Sequence, residues 1–154
     1  MQNSSDSIRN LLAEYTHRFD RGELEAAAKL FVHADILMGA SGVITHEELL
    51  KNWRENIIIY PDGTPKTKHA SSSLIINVDE PAGLAEAQSY YVVYQQTPSL
   101  PLQVIASGCY HDKFSRLDGG WAFTERDYGK LDLLGDLTHH LRNAEQITAM
   151  LANS

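Results

Sequence analysis

Four polar residues of this sequence occupy positions where a small domain usually carries core side chains: Tyr15, Asp20, His69 and Arg126. Tyr15 and Asp20 lie on and just beyond the apolar face of a predicted helix. His69 begins a β-rich segment, and Arg126 lies in the last predicted strand. A histidine, a carboxylate, a tyrosine and an arginine that meet in one pocket could move a proton. These residues are therefore candidates for acid–base catalysis.

The first predicted helix, over residues 5–21, determines where Tyr15 and Asp20 lie. Its apolar residues are spaced three or four positions apart, as on one face of a helix: Ile8, Leu11, Leu12, Tyr15 and Phe19. Asp20 precedes Arg21 and Gly22, and glycine is a natural helix stop. We therefore expect Tyr15 to point into the domain and Asp20 to lie at the helix end.

His69 is the candidate base, because a neutral imidazole can accept a proton near pH 7. A carboxylate on its other ring nitrogen would fix the tautomer and stabilise the imidazolium. Structural roles are also open. His69 could bond to backbone at a strand start, Asp20 could cap its helix, and Tyr15 could be a core tyrosine whose hydroxyl reaches one partner.

Arg126 has two possible environments. Arg126 alternates along its strand with Ala122 and Thr124, and the sequence leaves open whether that face meets the interior. On the interior face it would contact a developing oxyanion. On the outer face it would form an exposed ion pair with Glu125 or Asp127.

Composition limits the possible classes of protein. The chain has 154 residues, 43% of them hydrophobic, which is enough for one globular domain spanning residues 1–154. A net charge of −7 and the lack of a basic stripe argue against nucleic-acid binding. No signal peptide or membrane-length apolar run is evident, and the single Cys109 fits a reducing compartment. We therefore expect a cytoplasmic protein.

Helix signals come first along the chain and strand signals follow. Further helices are predicted at residues 24–31 and from a capping box at Thr45 to near Tyr60. Strands are predicted at residues 33–39, 67–78, 85–97, 102–116 and 121–130, and residues 133–151 form a tail that ends in a helix. This order predicts an α+β fold in which helices back a long, curved antiparallel sheet. Such a sheet forms a cone with a central pocket.

Several segments resemble the SnoaL-like domain of the nuclear-transport-factor-2-like superfamily, a cystatin-like α+β barrel. They are Ile8 to Leu12 through Tyr15 to Gly22, Tyr60 to Pro65 with His69, Gly108 to Phe114, and Gly120 to Arg126. The likeness covers nearly the whole chain. It is more specific for fold than for activity, because this fold hosts dehydratases, isomerases, cyclases and non-catalytic subunits.

The dehydratase-like branch, with scytalone dehydratase and bile-acid dehydratases, implies a role for each candidate. Tyr15 matches a pocket tyrosine that contacts a substrate oxygen. Asp20 matches the carboxylate paired with the pocket histidine, and His69 matches that histidine, the general base. Arg126 falls in the strand that carries a pocket arginine in some members. His111 is the candidate for the second histidine of scytalone dehydratase.

Other residues are candidates for the pocket wall or for substrate contact: Trp53, Tyr91, Cys109, His111 and Phe114. We predict no metal and no cofactor. His17 and His33 lack a cysteine or carboxylate cluster at ligand spacing, and the rings of the adjacent His139 and His140 diverge.

Two functions follow from this interpretation. The first is a cofactor-independent lyase or isomerase, which abstracts a proton from a small cyclic hydroxy-carbonyl substrate. The alternative is a non-catalytic ligand-binding or scaffold subunit, resembling the small subunit of ring-hydroxylating dioxygenases. Tyr90 to Tyr94 carries apolar and aromatic residues on both strand faces, so we expect a homodimer or homotrimer joined through the outer sheet face. We expect no nucleic-acid or membrane partner.

Overall fold

The computed structural model describes residues 3–153 and shows the expected α+β architecture. The helices are α1 (Ser4–Asp20), α2 (Leu24–Lys29), α3 (His46–Asn56) and α4 (Ala144–Ala152), with a short 3₁₀ turn at Gly39–Ser41. The strands are β1 (Asp35–Leu37), β2 (Val43–Ile44), β3 (Thr67–Asp79), β4 (Leu84–Thr97), β5 (Leu100–Leu117), β6 (Gly120–Asp127) and β7 (Leu131–Leu134). As predicted, helices back the large curved sheet: α1 lies against β3 and β6, α3 contacts β1, and α2 packs on both helices.

The sheet differs from the prediction in two details, because it is mixed and it is not closed. Its strand order is β2-β1-β6-β5-β4-β3, and β7 pairs with β5. β1 runs parallel to β6, with Ile36 opposite Arg126. A parallel pair needs a long connection, and the chain from β1 to β6 is long enough to supply it. The two-residue strand β2 was not predicted because it is too short to show alternation.

Helix α1 carries the first part of the site. The Asn3 side chain accepts a hydrogen bond from the Asp6 backbone N–H at 2.8 Å and caps the helix. The buried face consists of Ile8, Leu12, Tyr15 and Phe19, and the helix packs against β3. After Asp20, Gly22 has φ +80°, and a Cβ there would lie 1.9 Å from the Gly63 carbonyl oxygen. Glycine is therefore required where the chain turns out of α1.

Helix α3 begins at the predicted capping box but ends earlier than predicted. The Thr45 hydroxyl accepts from the Glu48 N–H, and the Glu48 carboxylate accepts from the Thr45 N–H. The helix stops at Asn56 rather than near Tyr60, because Ile57 is extended and forms a β-bridge with Leu141. Tertiary pairing with the C-terminal part of the chain thus replaces the last predicted turn.

Strand β4 has one face toward the interior and one face on the outside of the sheet. Tyr91, Val93 and Gln95 are buried, whereas Tyr90 and Tyr94 are exposed. Between β7 and α4, residues 135–143 form an irregular segment that lies against the inner end of β4, where Gln95 donates to the His139 carbonyl oxygen at 3.0 Å. In the described part of the chain, no helix is long and apolar enough to cross a membrane.

Candidate active site

The fold places His69 beside Asp20, which confirms the expected contact. Nδ1 of His69 lies 2.7 Å from Oδ1 of Asp20. The His69 backbone N–H donates to Oδ2 of the same carboxylate at 2.7 Å, and the Thr67 hydroxyl donates to Oδ1 at 2.8 Å. α1 supplies Asp20 and the first residues of β3 supply its three donors. Both side chains are nearly enclosed, with 6% of His69 and 10% of Asp20 exposed.

The carboxylate of Asp20 determines which nitrogen of His69 carries a proton. Burial alone would raise the pKa of Asp20. The hydrogen bonds and charge of His69, together with the hydrogen bond from Thr67, hold that pKa below its usual value. An ionised carboxylate only accepts hydrogen bonds, so Nδ1 of neutral His69 must be the donor. Nε2 then carries the lone pair, and among residues 3–153 it has no hydrogen-bond partner. That nitrogen is therefore available as a base.

Tyr15 contacts His69 through its ring and Tyr128 through its hydroxyl. Its ring lies 6.3 Å from that of His69, edge to face. Its hydroxyl accepts a hydrogen bond from the Tyr128 hydroxyl at 2.9 Å. Burial raises the pKa of Tyr15 well above its ordinary value, so the phenol stays protonated at neutral pH. The Tyr15 hydroxyl therefore remains a hydrogen-bond donor as well as an acceptor.

Arg126 lies on the interior face of β6 and is completely buried. It forms a two-point ion pair with Asp112, with Nε to Oδ1 at 2.7 Å and Nη2 to Oδ2 at 2.9 Å. Its partner is thus Asp112, not Glu125 or Asp127. The guanidinium lies 3.9 Å from the ring centre of Tyr110 and 4.4 Å from that of Tyr15. Burial alone would lower the Arg126 pKa, but the charge and hydrogen bonds of Asp112, with electrostatic effects of Tyr128 and Tyr110, together raise it, and the group stays cationic.

One atom of this pair is left without a partner. Nη1 of Arg126 is buried and makes no hydrogen bond with any described residue. A buried charged donor that lacks a partner is unusual and suits an oxygen that carries developing negative charge. The sequence analysis did not identify Asp112. The period-two pattern Tyr110, Asp112, Phe114 could have shown it, once β5 was known to face inward at these positions.

The structure divides the remaining candidates between two faces. Trp53, Tyr91 and Phe114 are buried, and the Trp53 ring lies 5.2 Å from that of Phe19, which contacts His69. Cys109 and His111 alternate with the buried Tyr110 and Asp112, so they lie on the opposite face of β5. The carboxylate of Glu86 lies 3.9 Å from Nε2 of His111. The fold does not bring Cys109 or His111 to His69.

His140 lies in this region although the sequence analysis did not propose it. Only 8% of the residue is exposed, and its ring lies 6.1 Å from that of Phe19. Burial, followed by the nearby charge of His69, lowers the pKa of His140 to about 4, while Asp20 acts in the opposite direction. His140 is thus neutral at pH 7. No periodic pattern surrounds it, and only the tertiary fold shows its position.

The arrangement supplies a base, hydrogen-bond donors for an oxyanion and apolar walls. Within residues 3–153, no group of three or more histidine, cysteine or acidic side chains is placed to hold a metal ion. Groups of these kinds are the ones that proton abstraction from carbon and stabilisation of a negative oxygen require.

Comparison with known proteins gives a family match and a set of structural neighbours. Residues 3–127 match the SnoaL-like domain family. No curated protein sequence matches the chain. A Nostoc punctiforme protein of unknown function with a cystatin-like fold superposes with a TM-score of 0.65 at 21% identity, covering 83% of this chain and 92% of that one.

Two further neighbours come from Novosphingobium aromaticivorans. A candidate scytalone dehydratase has a TM-score of 0.60 at 20% identity, covering 79% of each chain. The β subunit of a candidate aromatic-ring-hydroxylating dioxygenase has a TM-score of 0.64 at 17% identity, covering 87% of this chain and 93% of the other. At these identities the likeness extends to the fold alone.

Proposed function

The chain belongs to the SnoaL-like domain family, and on this premise we propose that it is a cofactor-independent lyase or isomerase of the dehydratase type. The observation that carries the proposal is the hydrogen bond between Nδ1 of His69 and Asp20, because it leaves Nε2 as a base inside an aromatic-walled interior. Tyr15 and Arg126 are the candidate stabilisers of negative charge. The fold alone would not select this activity.

The proposed reaction starts from a carbonyl compound with a hydroxyl group on the β carbon. Nε2 of His69 takes a proton from the α carbon, and the C–H electrons form an enolate. Tyr15 or Nη1 of Arg126 hydrogen-bonds the enolate oxygen. The enolate electrons then form the C=C bond as the C–O bond breaks, and the departing hydroxide takes the proton from the His69 imidazolium. The products are an enone and water, and His69 returns to its neutral form.

The surroundings of His69 favour a small cyclic substrate. The rings of Phe19 and Tyr15 meet the imidazole edge to face, at 4.9 Å and 6.3 Å between ring centres. Trp53 lies behind them, 5.2 Å from Phe19. A site walled by aromatic rings with few polar groups binds flat, largely apolar molecules and orients them by a few hydrogen bonds. We therefore favour a cyclic hydroxy-carbonyl compound.

A second candidate function is a non-catalytic scaffold subunit, and one observation favours it. The outer sheet face carries exposed apolar side chains. It includes Tyr90, Tyr94, Leu102, Val104 and Leu133. Exposed patches of this kind mark protein contacts. The fold of a dioxygenase β subunit is also similar. In this alternative, His69, Asp20, Arg126 and Asp112 would form a stabilising network.

The same face is where we place a homodimer or homotrimer contact. Tyr94 is opposite Val104 on β5, and Ser107 of β5 is opposite Leu133 on β7, so the exposed residues form one continuous surface across three strands. A second copy could cover that surface without touching the interior. The free Cys109 on this face fits a reducing, cytoplasmic setting.

Enone formation tests the enzyme proposal. Cyclic β-hydroxy ketones are incubated with wild-type protein and with His69→Gln, and the conjugated product is followed by ultraviolet absorbance. We expect turnover by the wild type and loss of about 10²- to 10⁴-fold in the variant. Equal rates for both proteins would contradict proton abstraction by His69. A lack of turnover, together with a lower Tm for His69→Gln, would favour the scaffold function.

A further inference from the structure

His140 is held by backbone contacts of the 135–143 segment. Its N–H donates to the Leu137 carbonyl oxygen at 2.9 Å, and its own carbonyl oxygen accepts from the Ile58 N–H at 2.9 Å. The preceding carbonyl, of His139, accepts from the Tyr60 hydroxyl at 2.5 Å and from the Gln95 amide at 3.0 Å. These four bonds fix the main chain, so the His140 ring has a defined position against Phe19.

No hydrogen bond compensates the His140 side chain for its burial. Its Nδ1 is enclosed and has no hydrogen-bond partner, and its ring makes no hydrogen bond with any residue from 3 to 153. A buried polar atom without a partner lowers stability, and such atoms in folded proteins usually have a reason outside the fold. Packing alone would be served better by leucine at this position.

Five side chains beside the inner face of α1 are connected by successive contacts. The Arg126 guanidinium is 4.4 Å from the Tyr15 ring, and the Tyr15 ring is 6.3 Å from that of His69. On the other side, Phe19 is 4.9 Å from His69 and 6.1 Å from His140. Tyr15 and Phe19 are one helical turn apart, their ring centres are 6.1 Å from each other, and His69 contacts both rings. Arg126 therefore contacts this group of rings at Tyr15 and His140 contacts it at Phe19, and each has one buried nitrogen without a partner among the described residues.

We propose that His140 is a substrate-contacting residue of this site, which hydrogen-bonds the β-hydroxyl group of a hydroxy-carbonyl substrate whose carbonyl oxygen lies toward Arg126. This inference rests on the proposed function and adds the orientation of the substrate. His69 then lies between the two ends, opposite the α carbon whose proton it takes. The departing hydroxide still receives its proton from His69, and His140 orients the hydroxyl group without transferring a proton.

The two end groups differ in a way that matches the two oxygens. Arg126 can only donate, which suits a carbonyl oxygen that becomes negative. His140 is neutral at pH 7, and a neutral imidazole both donates and accepts. A hydroxyl group also donates and accepts, so it fits the His140 end. Since Nδ1 of His140 and Nη1 of Arg126 are both enclosed, ligand binding requires local side-chain rearrangement at each end, with the main chain at His140 held in place.

Binding measurements on two ring compounds test this assignment. The probes are 3-hydroxycyclohexanone and cyclohexanone, which differ by one hydroxyl group. Dissociation constants are measured by NMR titration in the His69→Gln background, where proton transfer is removed and binding alone is observed. The second substitutions are His140→Leu, which removes the ring nitrogens, and His140→Asn, which keeps a hydrogen-bonding group. His139→Leu is the matched control at the neighbouring position.

We expect the His69→Gln protein to bind 3-hydroxycyclohexanone about two- to ten-fold more tightly than cyclohexanone. His140→Leu should abolish that preference, while His140→Asn should retain part of it and His139→Leu all of it. A preference that survives His140→Leu would overturn the proposal, as would equal weakening of both probes. Lack of binding of either probe at millimolar concentration would also overturn it. None of these results depends on turnover, so they are separate from a failure of the enzyme proposal.

Discussion

Oδ1 of Asp20 lies 2.7 Å from Nδ1 of His69, across 49 residues of sequence. The same carboxylate also accepts from the His69 backbone N–H and the Thr67 hydroxyl, so its position relative to the imidazole is fixed by three bonds. This relationship gives the protein a nearly enclosed histidine whose tautomer is defined. A histidine acts as a general base through the ring nitrogen that carries no proton.

Substitution of the three residues around the base should affect turnover in a fixed order. His69→Gln removes the proton acceptor and should cost about 10²- to 10⁴-fold in kcat. Asp20→Asn should cost less, because Asp20 orients the ring and stabilises its charged form without accepting the proton. Tyr15→Phe removes one hydroxyl and should cost least. His17→Gln, an exposed histidine of the same helix, is the control. A larger loss for Tyr15→Phe than for His69→Gln would contradict this assignment.

Removal of one partner of the buried ion pair should strongly destabilise the fold. Asp112→Asn leaves the fully buried Arg126 without its counter-charge, at an expected cost of about 3–5 kcal/mol in the free energy of unfolding. The partly exposed pair Lys113–Glu125 joins the same two strands at 3.4 Å and is the matched control. Glu125→Gln should cost no more than about 1 kcal/mol. Urea unfolding measures both values, and equal costs would contradict the role of burial.

Stability should fall as the solution becomes mildly acidic, because of His140. Its pKa is lowered from 6.5 to about 4 in the folded protein, by burial and by the charge of His69 against the opposing effect of Asp20. Below pH 6.5, His140 binds a proton in the unfolded chain but not in the folded chain. The free energy of unfolding therefore decreases toward pH 4. At about 1.4 kcal/mol per pKa unit, the loss is on the order of 3 kcal/mol.

Substitutions of His140 should distinguish its contribution to the pH dependence of stability from the contributions of other titrating groups. His140→Asn should remove most of the loss between pH 6.5 and pH 4, whereas His139→Asn should leave it unchanged. The lowered pKa of Asp20 acts in a different window, because its stabilising effect is lost only as the pH falls below the usual aspartate value of 3.8. Urea unfolding at a series of pH values gives the profiles. An unchanged profile for His140→Asn would contradict this account.

A charge on the outer sheet face should separate the subunits of the proposed oligomer. Tyr90 is 58% exposed at the centre of this face, and Tyr90→Lys places a charge where we expect an apolar contact. Light scattering at micromolar concentration should show a dimer or trimer for the wild type and a monomer for the variant. Val32→Lys, an equally exposed apolar position after α2, should leave the mass unchanged. A monomeric wild type would remove this interface.

The helical part of the site could be predicted from the sequence because the signals are local. The three- and four-residue spacing around Tyr15, and the Asp20-Arg21-Gly22 stop, both depend on residues close together in the chain. The capping box at Thr45 is equally local, and it was confirmed. The pairing of Asp20 with His69 came from the resemblance to a family, because spacing alone contains no information on contacts across 49 residues.

The rest of the site depends on strand register and on tertiary packing. A shift of one residue in β5 would exchange the faces of Asp112 and His111, and the sequence does not specify which face is interior. The parallel pairing of β1 with β6 is a long-range contact of the same kind. His140 lies in an irregular segment held by Gln95, Tyr60 and Ile58, none of which is near it in sequence.

Exchange of carbon-bound protons tests the central claim, that His69 is a base directed at carbon, more directly than any other measurement. Cyclohexanone and 3-hydroxycyclohexanone are incubated in D₂O with wild-type protein, His69→Gln or His17→Gln, and deuterium at the α carbon is followed by NMR. The account predicts exchange above background with the wild type and with His17→Gln, and about 10²- to 10⁴-fold slower exchange with His69→Gln. Exchange that is the same with His69→Gln as with the wild type, or absent from both, would contradict it.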